Sequence, residues 1–112
     1  MFTKKNSTTF RPLMKGVKMR PLAWEEKTIL CEFHLAEGHN LPAHQHPYEQ
    51  SGYLISGKLN FRIEDKWHTV EPGDSWSIPE NIEHQVSIME DSVALEVFSP
   101  LRNEYLPAKD QV

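Results

Sequence analysis

The sequence predicts an all-β chain, an antiparallel sandwich or closed barrel, and three observations carry that expectation. Apolar and polar residues alternate at a two-residue period in several short runs. Gly, Pro and Asp punctuate those runs at intervals of roughly eight to twelve residues, and no stretch holds a helical period. With 112 residues the chain fits one domain around a single core and has no room for a second.

Taken in order, residues 1–16 are polar and aperiodic, which predicts an N-terminal arm or flexible tail that becomes ordered only against a partner. From Thr28 onward, Ile29, Cys31, Phe33 and Leu35 alternate with Leu30, Glu32 and His34, the pattern of a half-buried strand that Gly38 ends. Tyr53 to Ser56 and Leu59 to Ile63 flank Gly57-Lys58, which reads as a hairpin with Gly at the first central position of a type II′ turn. Glu64-Asp65-Lys66 turns the chain before a strand ending at Val70, and Glu71-Pro72-Gly73-Asp74 is a turn with Pro in second place. Ser75 to Ile78 forms a short strand. His84 to Met89 and Val93 to Phe98 read as two more, separated by a turn at Glu90-Asp91-Ser92 and stopped by Pro100. The folded unit is therefore expected over 17–107, with 108–112 as a C-terminal tail.

Charge and composition exclude several functions. Sixteen acidic and twelve basic residues give a net charge of -4 with no basic cluster, which does not suit a nucleic-acid partner. No apolar run is long enough to span a membrane. Lys4 and Lys5 lead into Asn6-Ser7-Thr8-Thr9 rather than the apolar centre of a secretory signal, so a cytoplasmic location is expected. Cys31 is the only cysteine; it forms no intramolecular disulfide and reads as a small core hydrophobe.

The chemistry concentrates between Gly38 and Gly57. His44 and His46 stand two residues apart, and on a strand both imidazoles project to one side. A first-row metal usually takes at least three protein ligands, so Gln50 and His84 are the candidates to complete a site. His84 begins a strand on which it shares a face with Val86 and Ile88, so its imidazole lies among inward apolar groups and needs a partner there. A hydrogen-bonded core histidine is the plain alternative for His84 taken alone.

The stretch resembles the first motif of the cupins: Gly, five residues, His-any-His, three or four residues, Glu, six residues, Gly. Gly38, His44, His46, Gln50 and Gly57 fall on those positions. The second cupin motif is met by Gly73, Pro79 and His84 and departed from at Asn81 and Ile88. The resemblance implies a single-domain cupin, a double-stranded β-helix or jelly-roll barrel, with a divalent metal ion (Zn, Ni, Mn or Fe) on His44, His46, Gln50 and His84. Most metal-binding cupins carry a carboxylate at the position of Gln50. A neutral amide leaves the full metal charge to act on a substrate oxygen, which favours Lewis-acid chemistry over oxidation. Glu49, of opposite strand parity, replaces Gln50 only if Pro47 introduces a bulge.

A narrower resemblance covers the C-terminus. His-any-His followed by Glu-Gln, with a last strand reading acid-Val-Phe-Ser-Pro-any-Arg, is similar to the pectin-degradation cupins that linearise 4,5-unsaturated uronic acids. It implies that Glu96, Phe98 and Arg102 sit beside the metal: Glu96 as the proton carrier, Phe98 as a wall of the pocket and Arg102 as the anchor of a substrate carboxylate. The acid in those relatives is commonly Asp, one methylene shorter. Strand parity alone leaves the inward face open, because Glu96 shares a side with Ala94 and Phe98 while Val93, Leu95 and Val97 form a more apolar one. A solvated Glu and a surface Arg are the plain alternative.

The implied partners are a small acidic substrate and a second copy of the chain in a homodimer. Two other functional classes compete with the uronate enzyme: an iron and oxygen dependent dioxygenase, which the neutral Gln50 disfavours, and a ligand-binding or sensing cupin without turnover. His34, His39 and His68 fall outside the motif positions. Trp24, Trp67, Trp76, Tyr48 and Tyr53 are expected first as core or interface material, with Tyr48 near enough to the ligands to line a pocket.

Overall fold

The computed structural model describes residues 1–107 and consists almost entirely of antiparallel β-structure. The strands are β1 (Arg11–Met14), β2 (Val17–Trp24), β3 (Ile29–Leu35), β4 (Asn40–His44), β5 (Glu49–Ile63), β6 (Lys66–Val70), β7 (Ser75–Ile78) and β8 (His84–Ser99), followed by a single 3-10 turn, Asn103–Tyr105. No helix among the described residues is long and apolar enough to cross a membrane. The tail expected over 108–112 lies outside the described residues.

Two long strands, β5 and β8, run beside each other and bend together, so that each belongs to two layers. Their outer halves, Glu49 to Leu54 and Ala94 to Ser99, lie between β3 on one side and β7 on the other, and β3 continues through β2 to β1. Their other halves, Lys58 to Ile63 and His84 to Glu90, lie between β6 and β4. The two layers face each other across the core, as in a jelly-roll barrel.

The bend corrects two expectations. Gly57-Lys58 is not a hairpin turn, and Glu90-Asp91-Ser92 does not separate two strands; each is an irregularity inside one long strand, and the two lie opposite each other. Gly57 holds φ at +95°, which a hairpin turn and a bulge both accept, so the glycine by itself does not distinguish them. Space explains why glycine is needed: a Cβ there would lie 2.1 Å from Ser92 Oγ and 2.4 Å from the Asp91 carbonyl oxygen. The Ser92 hydroxyl stitches the corner, donating to the Glu90 carbonyl at 2.7 Å and accepting from the Lys58 N–H at 3.0 Å.

The first two strands were not expected. Residues 1–16 read as a loose arm, yet Arg11–Met14 pairs with β2 of the same chain. In β2, Val17, Met19 and Pro21 are buried while Lys18 and Arg20 between them are not, an alternation that Pro21 partly disguises. Elsewhere the expected elements stand. Ile29, Cys31, Phe33 and Leu35 all point into the core, Ser75 to Ile78 is a strand, and the Asp74 N–H closes its turn on the Glu71 carbonyl at 2.9 Å. The interior is filled from both layers by residues such as Met19, Ile29, Leu54, Leu59, Phe61, Ile78 and Ile88.

Candidate functional site

His44 ends β4 and His84 begins β8, and the two are paired across the ladder. His46 is not on a strand. β4 stops at His44, which corrects the expectation that strand parity puts the first two histidines on one face. The loop brings His46 back instead, and the Asn81 N–H fastens it by donating to the His46 carbonyl at 2.8 Å. Asn81 adopts φ +62°, in the left-handed region, which asparagine tolerates better than most residues.

The three imidazoles converge: one nitrogen from each lies within 4.8 Å of the others. Each Nδ1 faces a backbone carbonyl, His44 that of Pro42 at 2.8 Å, His46 that of Tyr48 at 3.2 Å and His84 that of Ile82 at 2.8 Å. A carbonyl only accepts, so Nδ1 carries the proton and Nε2 keeps a free lone pair, the tautomer a metal requires. Burial is the main cause holding the His84 pKa down at about 4, with His44, His46 and Arg102 adding to it and the Ile82 carbonyl opposing. Burial likewise lowers the pKa of His46, helped by the charge of Arg102 and by His44. Both rings are therefore neutral at pH 7.

Gln50 points inward from β5 while Glu49 is exposed, so Pro47 does not shift the register to bring the acid in. Two polar atoms in this cluster are buried without a partner: His46 Nε2 and Gln50 Oε1. Leaving a buried acceptor unmet costs about 1–3 kcal/mol. Three imidazoles with free Nε2 lone pairs and an amide oxygen with unspent lone pairs fit a divalent cation.

The open question about Glu96 is decided in favour of the inward face. Ala94 and Phe98 are buried and Val97 is 37% exposed, so the more apolar side of this strand looks outward. Gln50 Nε2 donates to Glu96 Oε2. The Trp76 indole lies alongside, where Gly52 makes room for it: a Cβ at Gly52 would stand 2.2 Å from Trp76 Cε2. Burial of the carboxyl pushes the Glu96 pKa up to about 7, against the opposing effects of Gln50, the Trp76 N–H and the charge of Arg102. The residue as a whole is only partly covered, but its carboxyl end sits deep. Trp76 Nε1 itself meets no acceptor in full hydrogen-bond geometry, so its help to Glu96 is electrostatic.

Arg102 lies past the end of β8, its guanidinium carbon 4.2 Å from the Tyr105 ring centroid, 5.0 Å from that of Phe98 and 5.1 Å from that of Tyr48. His44, His46, Gln50, His84, Glu96, Phe98 and Arg102 all line one tight cavity of about 40 Å3. The sequence reading missed Tyr105, which lines the same cavity, and treated Trp76 as packing material. An aromatic three residues after Arg102 was the available sign. A roomier depression, about 530 Å3, opens between β1, β2 and the β5–β8 corner, and no metal-ligating cluster lies in it among the described residues.

The Cupin_2 family, described as Cupin domain, matches residues 31–99, more than half of the chain. The chain is a cupin. It is 28% identical over 103 residues to the pectin degradation protein KdgF of Dickeya dadantii (strain 3937), covering 90% of this chain and 94% of that one. Among solved structures, this cupin resembles KdgF from Halomonas sp. with a TM-score of 0.88 at 23% identity, over 95% of this chain and 98% of the other. An RmlC-like cupin from Shewanella frigidimarina also matches with a TM-score of 0.88, at 19% identity, over 94% of this chain and 95% of the other. Both likenesses concern the fold.

Proposed function

We propose that this cupin is a metal-dependent enzyme that opens and tautomerises a 4,5-unsaturated uronate to the 5-keto-4-deoxyuronate, an isomerisation without electron transfer. The observation that carries the reading is the shared cavity: a cluster of three converging histidines with an unpaired amide oxygen faces an elevated-pKa carboxyl and a guanidinium. Similarity to a pectin degradation protein supports the substrate class.

His44, His46, His84 and Gln50 would hold a divalent ion, which when bound supplies a Lewis acid beside a substrate oxygen. Arg102 takes the substrate carboxylate through paired N–H donors, a contact that suits its planar fork. The stacked rings of Tyr48, Phe98 and Tyr105 hold that fork in place. Phe98, buried beside His46 with ring centroids 6.1 Å apart, walls off water from the reacting end.

Glu96 moves the protons. Opening the ring breaks the bond between C1 and the ring oxygen; the C1 hydroxyl loses its proton as the aldehyde forms and the ring oxygen gains one, leaving an enol at C5. That enol then loses its hydroxyl proton while C4 is protonated, so the atoms and electrons balance with no outside reductant. A carboxyl with a pKa of about 7 is present in both forms near neutrality and can serve as donor and acceptor in turn. Purified protein with its metal should consume unsaturated galacturonate, read as loss of the enol-ether absorbance, faster than the spontaneous reaction. No acceleration over a chelator-stripped control would overturn the proposal.

The assembly we propose is a homodimer joined through the outer sheet face, where Tyr53, Ile55 and Val97 are exposed. Light scattering should give twice the 13.0 kDa chain mass, and a monomer at micromolar concentration would rule this out.

A further inference from the structure

Arg102 is unusually placed for a charged side chain. Its side chain keeps 15% of its exposure, its Nε has no hydrogen-bond partner, and its carboxylate neighbour is Glu104, with Oε1 3.6 Å from that Nε. That separation is an ion pair but not a hydrogen bond. Glu104 is itself exposed, at 56% of its side chain, and its Oε1 accepts from the Tyr48 hydroxyl at 3.1 Å. Tyr48 follows His46 by two residues, and their ring centroids are 5.8 Å apart. The Tyr48–Glu104 pair therefore bridges the histidine loop and the Arg102 segment at the rim of the cavity.

The backbone beneath this bridge is fixed from elsewhere. Arg11, on β1, donates one N–H to the Leu106 carbonyl at 3.0 Å and another to the Glu104 carbonyl. The N-terminal strand thus pins the backbone of the turn that carries Glu104, while the Glu104 side chain is exposed and held only by Tyr48 and Arg102.

We propose that Glu104 is a resident counter-ion occupying the position of the substrate carboxylate on Arg102, latched by Tyr48 and displaced when an acidic ligand binds. The inference rests on the acidic-substrate reading above and adds a residue that sets how strongly carboxylates are bound. A ligand carboxylate that makes two short N–H contacts outcompetes a single 3.6 Å contact, whereas an uncharged sugar gains nothing from the exchange. Glu104 is in this sense a specificity-determining residue: it lowers affinity for every anion by a fixed factor and spares neutral ligands. Its departure also frees the Tyr48 hydroxyl to donate to the incoming ligand.

Glu104→Gln keeps the side-chain length and an oxygen for Tyr48 but removes the competing charge. Calorimetric titration of the metal-loaded wild type and E104Q with galacturonate and with galactose separates the possibilities. Galacturonate should bind E104Q roughly two- to fivefold tighter than wild type, the size of an exposed ion pair, with galactose unchanged and the gain shrinking as salt is raised. If wild type prefers galacturonate over galactose but E104Q binds it equally or less tightly, the counter-ion role is overturned and the acidic-substrate reading stands. If wild type shows no preference for galacturonate, both fall. Matching thermal midpoints for the two proteins would exclude misfolding as the cause of either result.

Discussion

Gln50→Glu is the substitution that tests most directly why an amide stands where most metal-binding cupins have an acid. The amide does two jobs: its Nε2 donates to Glu96 Oε2 while its Oε1 is left unpaired in the cluster with the histidines. A carboxylate can only accept, so the variant loses a hydrogen bond to a charged group, worth about 1.5–3 kcal/mol. It also sets two carboxylates against each other, and at ~4 Å with an effective dielectric of ~20 that repulsion is about 4 kcal/mol. Protonating one of the pair relieves most of it. The folded variant therefore binds a proton that the unfolded chain, with a Glu pKa of about 4.3, does not. A carboxyl whose folded pKa is raised contributes its full stability below the unfolded value and loses it as pH rises through the folded one. The deficit of Q50E relative to wild type should thus be small at pH 5 and reach about 2–4 kcal/mol at pH 8, a drop of roughly 10 °C in Tm for a domain of this size. Thermal unfolding followed by circular dichroism, with chelator present, measures it across that range. Added Zn should shrink the gap, since the fourth ligand, now an anion, then has a cation to face. Parallel pH profiles for the two proteins would refute the assignment of Gln50 as a donor to Glu96.

Three further outcomes are expected. His84→Ala removes a buried ring from the cluster and should lower metal retained after dialysis by more than the 10–100-fold that loss of a supporting contact typically costs, with one equivalent retained in the variant arguing against the site. Cys31 is fully buried and its pKa is pushed up to about 12 by burial first and the charge of Glu96 second, so Ellman's reagent at pH 8 should label it only after unfolding in urea; rapid labelling of the folded protein would contradict its position. Burial works to raise the Glu32 pKa, but hydrogen bonds from His34 and Arg20 and their charge outweigh it and leave the pKa below the usual range. Glu32 therefore contributes stability above about pH 4.3 that is lost as pH falls through its depressed folded value, and Glu32→Gln should flatten the acid limb of the unfolding free energy, read from urea titrations, by about 1 kcal/mol.

Much of this molecule was legible along the chain because the information was local. The alternation of Ile29, Cys31, Phe33 and Leu35, the Pro-Gly turn at Pro72-Gly73 and the spacing of Gly38, His44, His46, Gln50 and Gly57 are each contained within twenty residues. What was missed depends on distant partners. Gly57 looks the same in a hairpin and in a bulge, and only Asp91 and Ser92, more than thirty positions away, show that the chain has no space to turn back there. Arg11 read as part of a loose arm because nothing near it reveals that its guanidinium meets the carbonyls of Glu104 and Leu106. The contribution of Trp76 was hidden for the same reason: an indole reaches the cavity only because Gly52, on another strand, lacks a side chain.

Glu96 shows how a single long-range pairing settles what composition gets wrong. Judged alone, the strand from Val93 to Phe98 should bury Val93, Leu95 and Val97, since three branched side chains outweigh Ala94, Glu96 and Phe98. Its neighbour β3 has no such ambiguity, with Cys31 and Phe33 on one side and Glu32 and His34 on the other. Residues directly opposite across a ladder point to the same face, and the register pairs Cys31 with Glu96 and Phe33 with Ala94. The clear strand therefore imposes its parity on the unclear one. It turns Glu96 inward at the cost of exposing Val97, and the carboxyl that results is buried, partnered by Gln50 and raised to a pKa useful at neutral pH.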